Sequence, residues 1–464
     1  MKSHPRLILA GLSGGSGKTI VSLGLCSFFR NRGYAVQPFK KGPDYIDAAW
    51  LSLAAGRSAS NLDPFLMPAA SVEALFWERN AGSDLAIIEG SRGLFDGKDV
   101  GGSCSTAELS RLLQTPVILI INSTKMTRTV AALVQGCRRL EPELHIAGVI
   151  FNQTAGNRHR AILTRSVEQY TDVPVLGALP RLEKNPIPER HMGLVSDQEF
   201  GTRDIFETMA RTVNDWLDMD RILTIAQEAP KVSVSASVRW PSSQGDAPVR
   251  IGIVRDAALW FYYEENIEAL RRAGAEVVVV SLLDDRKWPE LHGLYLGGGF
   301  PETHASTISA NTGVLRRIKE LAEQGLPVYA ECGGLMCLGQ SIICNGVEFP
   351  MSGVFPFKTD LRKRPQALGY TRARTCQDNP FHPVGSIISG HEFHYSCFLP
   401  QSGTLDYALK MVRGKGIDHG CDGLVSRNVF ATYTHIHALG VSGWAERFVA
   451  TAVGYAREQF KPTP

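Results

Sequence analysis

Apolar runs of five or six residues recur along the first half of the chain, bounded by glycine, proline or charged positions. They fall at 6–10, 35–39, 85–89, 117–122, 146–151 and 174–179. Runs this short and this evenly apolar predict strands buried on both faces, as in a parallel sheet. Between them, stretches such as 19–32 and 127–141 read as amphipathic helices, so the pattern is a sheet wrapped by helices. The second half repeats the style at 249–255, 264–273, 276–282, 293–296, 314–324 and 327–330.

Residues 228–248 separate the halves with Ala-Pro, Ser-rich and Gly-Asp-Ala-Pro stretches, a linker composition, although 232–240 would also serve as an extra strand. The expected organisation is two α/β domains in series, 1–245 and 246–464. The first is a doubly wound parallel sheet. A chain of 464 residues is also too long for one ordinary core.

Composition narrows the function classes. Hydrophobic residues at 44% and charged residues at 20% are ordinary for a globular protein, and a net charge of +3 supplies no global attraction for nucleic acid or an anionic membrane. The nine cysteines are odd in number and scattered along a long chain, unlike a secreted disulfide framework, and they form no CxxC pair that would support a zinc ribbon or thioredoxin-type site. The apolar run at 7–10 is too short for a signal peptide, and no stretch approaches the ~20 apolar residues of a membrane span. A cytoplasmic protein is expected.

The first strand leads into Gly11-Leu12-Ser13-Gly14-Gly15-Ser16-Gly17-Lys18-Thr19 and then a helix. Glycines let successive amides face phosphate oxygens at a helix N-terminus. Ser13, Gly14, Gly15, Ser16, Gly17, Lys18 and Thr19 are therefore the expected nucleotide-binding residues. Lys18 would reach the β- and γ-phosphates and Thr19 a Mg²⁺ ion. The loop has one more residue between Gly11 and Gly17 than the usual Walker pattern, and it resembles the loops of dethiobiotin synthetase and of the ParA and MinD proteins.

Acidic residues follow at two more strand ends, where open α/β sheets hold ligands. One group is Lys40-Lys41-Gly42-Pro43-Asp44-Tyr45-Ile46-Asp47; the other runs from Glu89 to Asp96-Gly97. With Thr19, Asp44 and Glu89 are the Mg²⁺ candidates, being hard oxygen donors. Lys41, Asp44, Tyr45, Asp47 and Asp96 are the substrate candidates. The adjacent Lys40 and Lys41 would draw in a polycarboxylate, or else be solvated surface lysines.

In the second half, Leu326-Pro327-Val328-Tyr329-Ala330-Glu331-Cys332-Gly333-Gly334 turns from strand to helix at a cysteine. A sharp turn of this kind exposes a nucleophile, and the helix start favours its thiolate. The Gly333 amide, with Gly298 and Gly299 of the upstream glycine turn, would form the oxyanion hole. The expected base is His435 at an apparent strand end, with His437 competing. His391, Glu392 and His394 would suit a metal, but a paired, satisfied structural role outranks that, and substrate or domain-interface contacts are the favoured functional reading.

A phosphate loop followed by a cysteine elbow resembles the cobyrinic acid a,c-diamide synthase family. The stretches that carry the likeness are 42–47, Asn61-Leu62-Asp63, 89–97, 188–194, Arg255-Asp256-Ala257 with Phe261-Tyr262-Tyr263, 297–302, 331–336, Gly369-Tyr370 and 390–396, which together span essentially the whole chain. The resemblance implies a dethiobiotin-synthetase-like P-loop domain and a class I glutamine amidotransferase-like α/β domain. It implies ATP and Mg²⁺ as cofactors. Cys332 would release ammonia from L-glutamine through a thioester, and the P-loop domain would phosphorylate a carboxylate that ammonia then converts to an amide. In this family the substrate is a polycarboxylate tetrapyrrole amidated at side chains a and c in cobalamin synthesis. Relatives use the same chemistry on hydrogenobyrinate, nickel-sirohydrochlorin or sirohaem.

This sequence departs from expected patterns in two places, the first from class I enzymes at large, as the family often does, and the second from the family itself. Class I enzymes commonly carry a glutamate two residues after the catalytic histidine; here that position is His437, so Cys332 and His435 are read as a dyad. A proline and a histidine-containing turn often follow the Asp-Tyr-Ile-Asp stretch, where this chain has Ala48-Ala49-Trp50-Leu51-Ser52. That segment is expected near substrate. A P-loop regulatory ATPase of the ParA or MinD type is the outside alternative. It would call for a terminal membrane helix or a basic patch, and residues 455–464 offer neither. Neither nucleic acid nor membrane is an expected partner, while a homodimer is compatible with the sequence.

Overall fold

A computed structural model describes residues 3–182, 202–233, 237–243, 249–284, 286–401 and 404–459. The family-like stretch at 188–194 lies outside the described residues. The chain divides into two compact units, the first running to Val238 apart from short stretches and the second from Arg239 to Pro464.

In the first unit, strands β1 (Arg6–Gly11), β2 (Val36–Lys41), β3 (Ser60–Leu62), β4 (Leu85–Gly93), β5 (Val117–Asn122), β6 (Ile146–Thr154) and β7 (Val175–Pro180) form one sheet in the order β3-β2-β4-β1-β5-β6-β7. Every pairing in it is parallel. Leu7, Ile8, Leu9, Ile87, Ile88 and Ile118 are fully buried, which is why these strands read as unbroken apolar runs. The chain leaves β1 on one side of the sheet for β2 to β4 and returns on the other for β5. That reversal places the loop after β1 at the switch point where doubly wound sheets bind ligands. Only the three-residue β3 has no counterpart in the apolar pattern.

Among the described residues, the second unit is built on a ten-stranded mixed sheet, with a smaller four-stranded and a two-stranded sheet beside it. Strands Ala275–Val280, Val249–Val254, Gly293–Leu296, Val328–Glu331 and Val429–Thr432 run parallel in that spatial order. The sheet continues antiparallel through Cys421–Ser426, Asp406–Arg413, Ala367–Thr375, Ile387–His394 and His435–Ile436. This antiparallel half adds strands that the apolar runs ending at 330 do not display. Its strands have one exposed face, with Leu368, Phe393 and Val412 on the surface, so they lack the continuous apolar runs that flag buried strands. The described residues of 232–240 form no extended strand.

Candidate functional site

The loop after β1 is held from several sides. Gly17 caps helix α1 (Lys18–Asn31) with φ 96°, a left-handed conformation that glycine adopts without steric cost. A methyl group at this position would also lie 2.0 Å from Asn152 Nδ2. That amide donates to the Ser16 carbonyl at 3.0 Å and so fixes the loop from the end of β6. Ser13, Gly14 and Gly15 are exposed, as a cradle for phosphate requires, whereas Lys18 is buried. Its ammonium donates to the carbonyls of Ser13 (3.0 Å) and Arg92 (2.8 Å). Burial, and then the nearby Lys40 charge, lower its pKa. A cation held this way gains by meeting phosphate oxygens.

Thr19 and Glu89 meet directly, the hydroxyl donating to Glu89 Oε1 at 2.8 Å. Lys40 donates to the same oxygen at 2.8 Å and to Asp47 Oδ2 at 2.5 Å. Burial pushes the Glu89 carboxyl up to about 7, against the pull of Lys40. Burial would lower Lys40, but Glu89 and Asp47 hold its ammonium well above the ordinary lysine value. Glu89 Oε2 is buried without a hydrogen-bond partner. An orphaned buried carboxylate oxygen beside a threonine hydroxyl is a hard donor set that fits Mg²⁺.

The other candidates divide. Asp44 is exposed and caps helix α2 (Tyr45–Ala55), accepting from the Asp47 amide at 3.0 Å. Asp96 accepts from the Gly93 amide at 2.8 Å, closing a turn. Lys41 is buried, as is Lys40, so neither is a solvated surface lysine. Tyr45 is buried at the start of α2. Asn61 donates to the carbonyls of Gly42 (2.8 Å) and Asp44 (3.0 Å), shaping the turn that presents these side chains. Trp50 is 2% exposed and packs edge-on against Phe206, so the divergent 48–52 segment contributes to the core. Sequence reasoning missed Lys40 as the central cation and Asn152 as the loop's anchor. Lys40 and Glu89 become partners through the β2–β4 register, which no local pattern displays.

In the second unit, Cys332 has φ 48° and ψ −99°, a strained conformation for a residue with a Cβ. It lies between strand Val328–Glu331 and the short helix Gly333–Leu338. Its amide is bound to the Thr432 carbonyl (2.7 Å), and the Gly334 amide ties the helix to Gly297 (3.0 Å). A methyl at Gly333 would lie 3.0 Å from the Gly299 amide nitrogen, and one at Gly298 would strike His435 Cε1 at 2.3 Å. The three glycines thus pack around the nucleophile and its base, leaving amides rather than side chains there.

His435 lies close enough to Cys332 for the two side chains to interact electrostatically, and its Nδ1 is 3.7 Å from Glu331 Oε2. Burial alone would lower this imidazole, but Cys332 and Glu331 raise it to about 10. His437 turns away, with Nε2 3.5 Å from Glu265 Oε2. The 390–396 segment is absorbed structurally. His391 stacks on His435 with ring centroids 4.8 Å apart, Glu392 accepts from the amides of Lys415 and Gly416, and His394 stacks on Tyr433. Among the described residues, no group of three His, Cys, Asp or Glu side chains is placed to hold a metal ion.

Residues 7–195 match the model of the CobQ/CobB/MinD/ParA nucleotide binding domain, and 250–442 that of the CobB/CobQ-like glutamine amidotransferase domain. Over 446 residues the chain is 41% identical to the cobyrinate a,c-diamide synthase of Magnetococcus marinus, covering 95% of this chain and 96% of that one. The chain belongs to the cobyrinate a,c-diamide synthase family. The family's member from Archaeoglobus fulgidus is 40% identical over 97% of this chain and 98% of its own. That from Salmonella typhimurium is 36% identical over 94% and 95%. The family's two parts, a nucleotide-binding domain and a glutamine amidotransferase domain, thus fall on the phosphate loop and on the cysteine elbow. Among the described residues no helix is long and apolar enough to cross a membrane.

Proposed function

We propose that this protein uses ATP and L-glutamine to convert the a and c side-chain carboxylates of cobyrinic acid, a tetrapyrrole, into primary carboxamides. Residues 1–245 form the carboxylate-activating domain and residues 246–464 the glutaminase. The reading is carried by the elbow geometry of Cys332 against His435, in a chain related to cobyrinate a,c-diamide synthases over nearly its whole length.

At the glutaminase, the Cys332 thiolate attacks the amide carbon of glutamine. The amides around Gly298, Gly299 and Gly333 receive the oxyanion, and His435 gives its proton to the departing ammonia. Water then hydrolyses the thioester to glutamate. At the phosphate loop, residues 13–19 hold the triphosphate and Lys18 neutralises charge as the carboxylate attacks the γ-phosphorus and ADP leaves. Thr19 and Glu89 would hold Mg²⁺, with Asp44 at the same sheet edge; when bound, the ion shields the phosphate charge. Lys41, Tyr45, Asp47 and Asp96 contact the substrate. Ammonia displaces phosphate from the acyl phosphate, leaving the amide. The protein acts in the cytoplasm, where ATP and glutamine are available.

The test is product mass. With ATP, Mg²⁺, glutamine and cobyrinic acid, each amidation lowers the mass by about one unit and releases one phosphate. Hydrogenobyrinate, sirohaem and nickel-sirohydrochlorin serve as comparison substrates. Cobyrinic acid left unchanged while another macrocycle reacts would transfer the assignment to that macrocycle. Cys332→Ala should lose glutamine use by at least about 10³-fold while turnover with added ammonia persists.

A further inference from the structure

We infer that Glu331, the residue immediately before the nucleophile, is the acid that orients His435 and stabilises its charge, completing a triad for the glutaminase. The inference rests on the proposed reading of this site as a glutaminase. His437, two residues beyond the base, is basic and faces Glu265, so an acid for His435 must come from elsewhere. Glu331 is fully buried, and two donors fix its carboxylate. Oε1 accepts from the Ile436 amide at 3.1 Å, and Oε2 accepts from the Tyr295 hydroxyl at 2.9 Å. Asn266 supports both ends: it donates to the Tyr295 hydroxyl at 3.2 Å and to the Ile436 carbonyl at 2.9 Å, and it accepts from the Ala438 amide at 2.7 Å. The carboxylate and the backbone flanking His435 are therefore one braced unit.

Within that unit Glu331 Oε2 is 3.7 Å from His435 Nδ1. This separation is longer than a hydrogen bond, so the carboxylate acts on the ring mainly through its charge. In a buried site that charge is weakly screened. Among the described residues, Cys332, Glu331, His391 and His394 act on His435 from the elements packed around it. Glu331 is the carboxylate among them. An imidazolium must form as the thiol ionises, and it must then pass its proton to ammonia. Glu331 favours the first event and holds the ring in place for the second.

Glu331→Gln keeps an oxygen acceptor but removes the charge. In the full-length enzyme it is expected to lower kcat for glutamine hydrolysis by about 10²–10⁴-fold, with KM for glutamine changed by less than about threefold. Amidation driven by ammonia should persist. Alkylation of Cys332 by iodoacetamide, followed by mass, should slow at neutral pH, its rise moving to higher pH because the thiolate loses part of its imidazolium partner. Glu331→Asp, which retains the charge, should recover part of the rate. An alkylation profile unchanged from wild type, or glutamine turnover within about twofold of it, overturns the proposal. A rate loss shared equally by the ammonia-driven reaction also overturns it, since that would mark a general structural role. Glutamine use that survives Cys332→Ala would instead defeat the glutaminase reading itself.

Discussion

Lys40 and Glu89, 49 positions apart, stand opposite each other on neighbouring parallel strands, with Nζ 2.8 Å from Oε1. Both side chains are buried, and Asp47 closes on the same ammonium. The lysine is the counter-charge that makes an ionised Glu89 tolerable inside the sheet edge.

Removing that cation strands a buried carboxylate. Lys40→Met is expected to destabilise the protein by about 3–5 kcal/mol, measured by denaturant unfolding without nucleotide. Mg²⁺ with ATP should restore part of the loss by supplying another positive partner. A change below about 1 kcal/mol would show that the pair does not carry this role.

Lys18→Ala should stop amide formation with glutamine and with ammonia alike, because both routes need the activated carboxylate. Glutamine hydrolysis at Cys332 is expected to continue. Measuring glutamate release and product mass in the same reaction separates the two activities, and synthesis with ammonia in this variant would contradict the phosphate-loop assignment.

Gly298→Ala places a methyl group 2.3 Å from His435 Cε1. The ring must move, so glutamine hydrolysis should fall by about 10²-fold or more, as small misplacements of catalytic groups do. Ammonia-driven amidation should remain near wild type, and a steady-state assay with each nitrogen source reads the difference.

The pH dependence follows from His435. Its folded-state pKa is raised from 6.5 to about 10, so the ring keeps its proton throughout the neutral range. The associated stability is fully present below about pH 6.5 and is lost as pH rises through about 10. Glutamine hydrolysis should decline over the same alkaline limb, because the proton needed by the leaving ammonia is gone. A profile falling already at pH 7 would mean that Cys332 and Glu331 do not hold the proton as described.

The chemistry that is local in sequence could be read without coordinates. The phosphate loop occupies consecutive residues, 11–19, because successive amides of one turn bind phosphate; the elbow at Cys332 likewise needs only a strand, a turn and a helix start. The fully buried strands were legible for a similar reason: apolar side chains on both faces leave an unbroken run. The antiparallel strands from Ala367 to Ser426 expose one face, and their alternation is too weak to separate from loops. Only the tertiary structure decided which distant residues meet. Lys40 reaches Glu89 through strand register, Asn152 reaches Ser16 from the far end of β6, and Glu331 reaches His435 through Val328–Glu331 lying beside Val429–Thr432. Register is set by packing of the whole sheet against its core, so a stretch of chain taken alone carries no record of it.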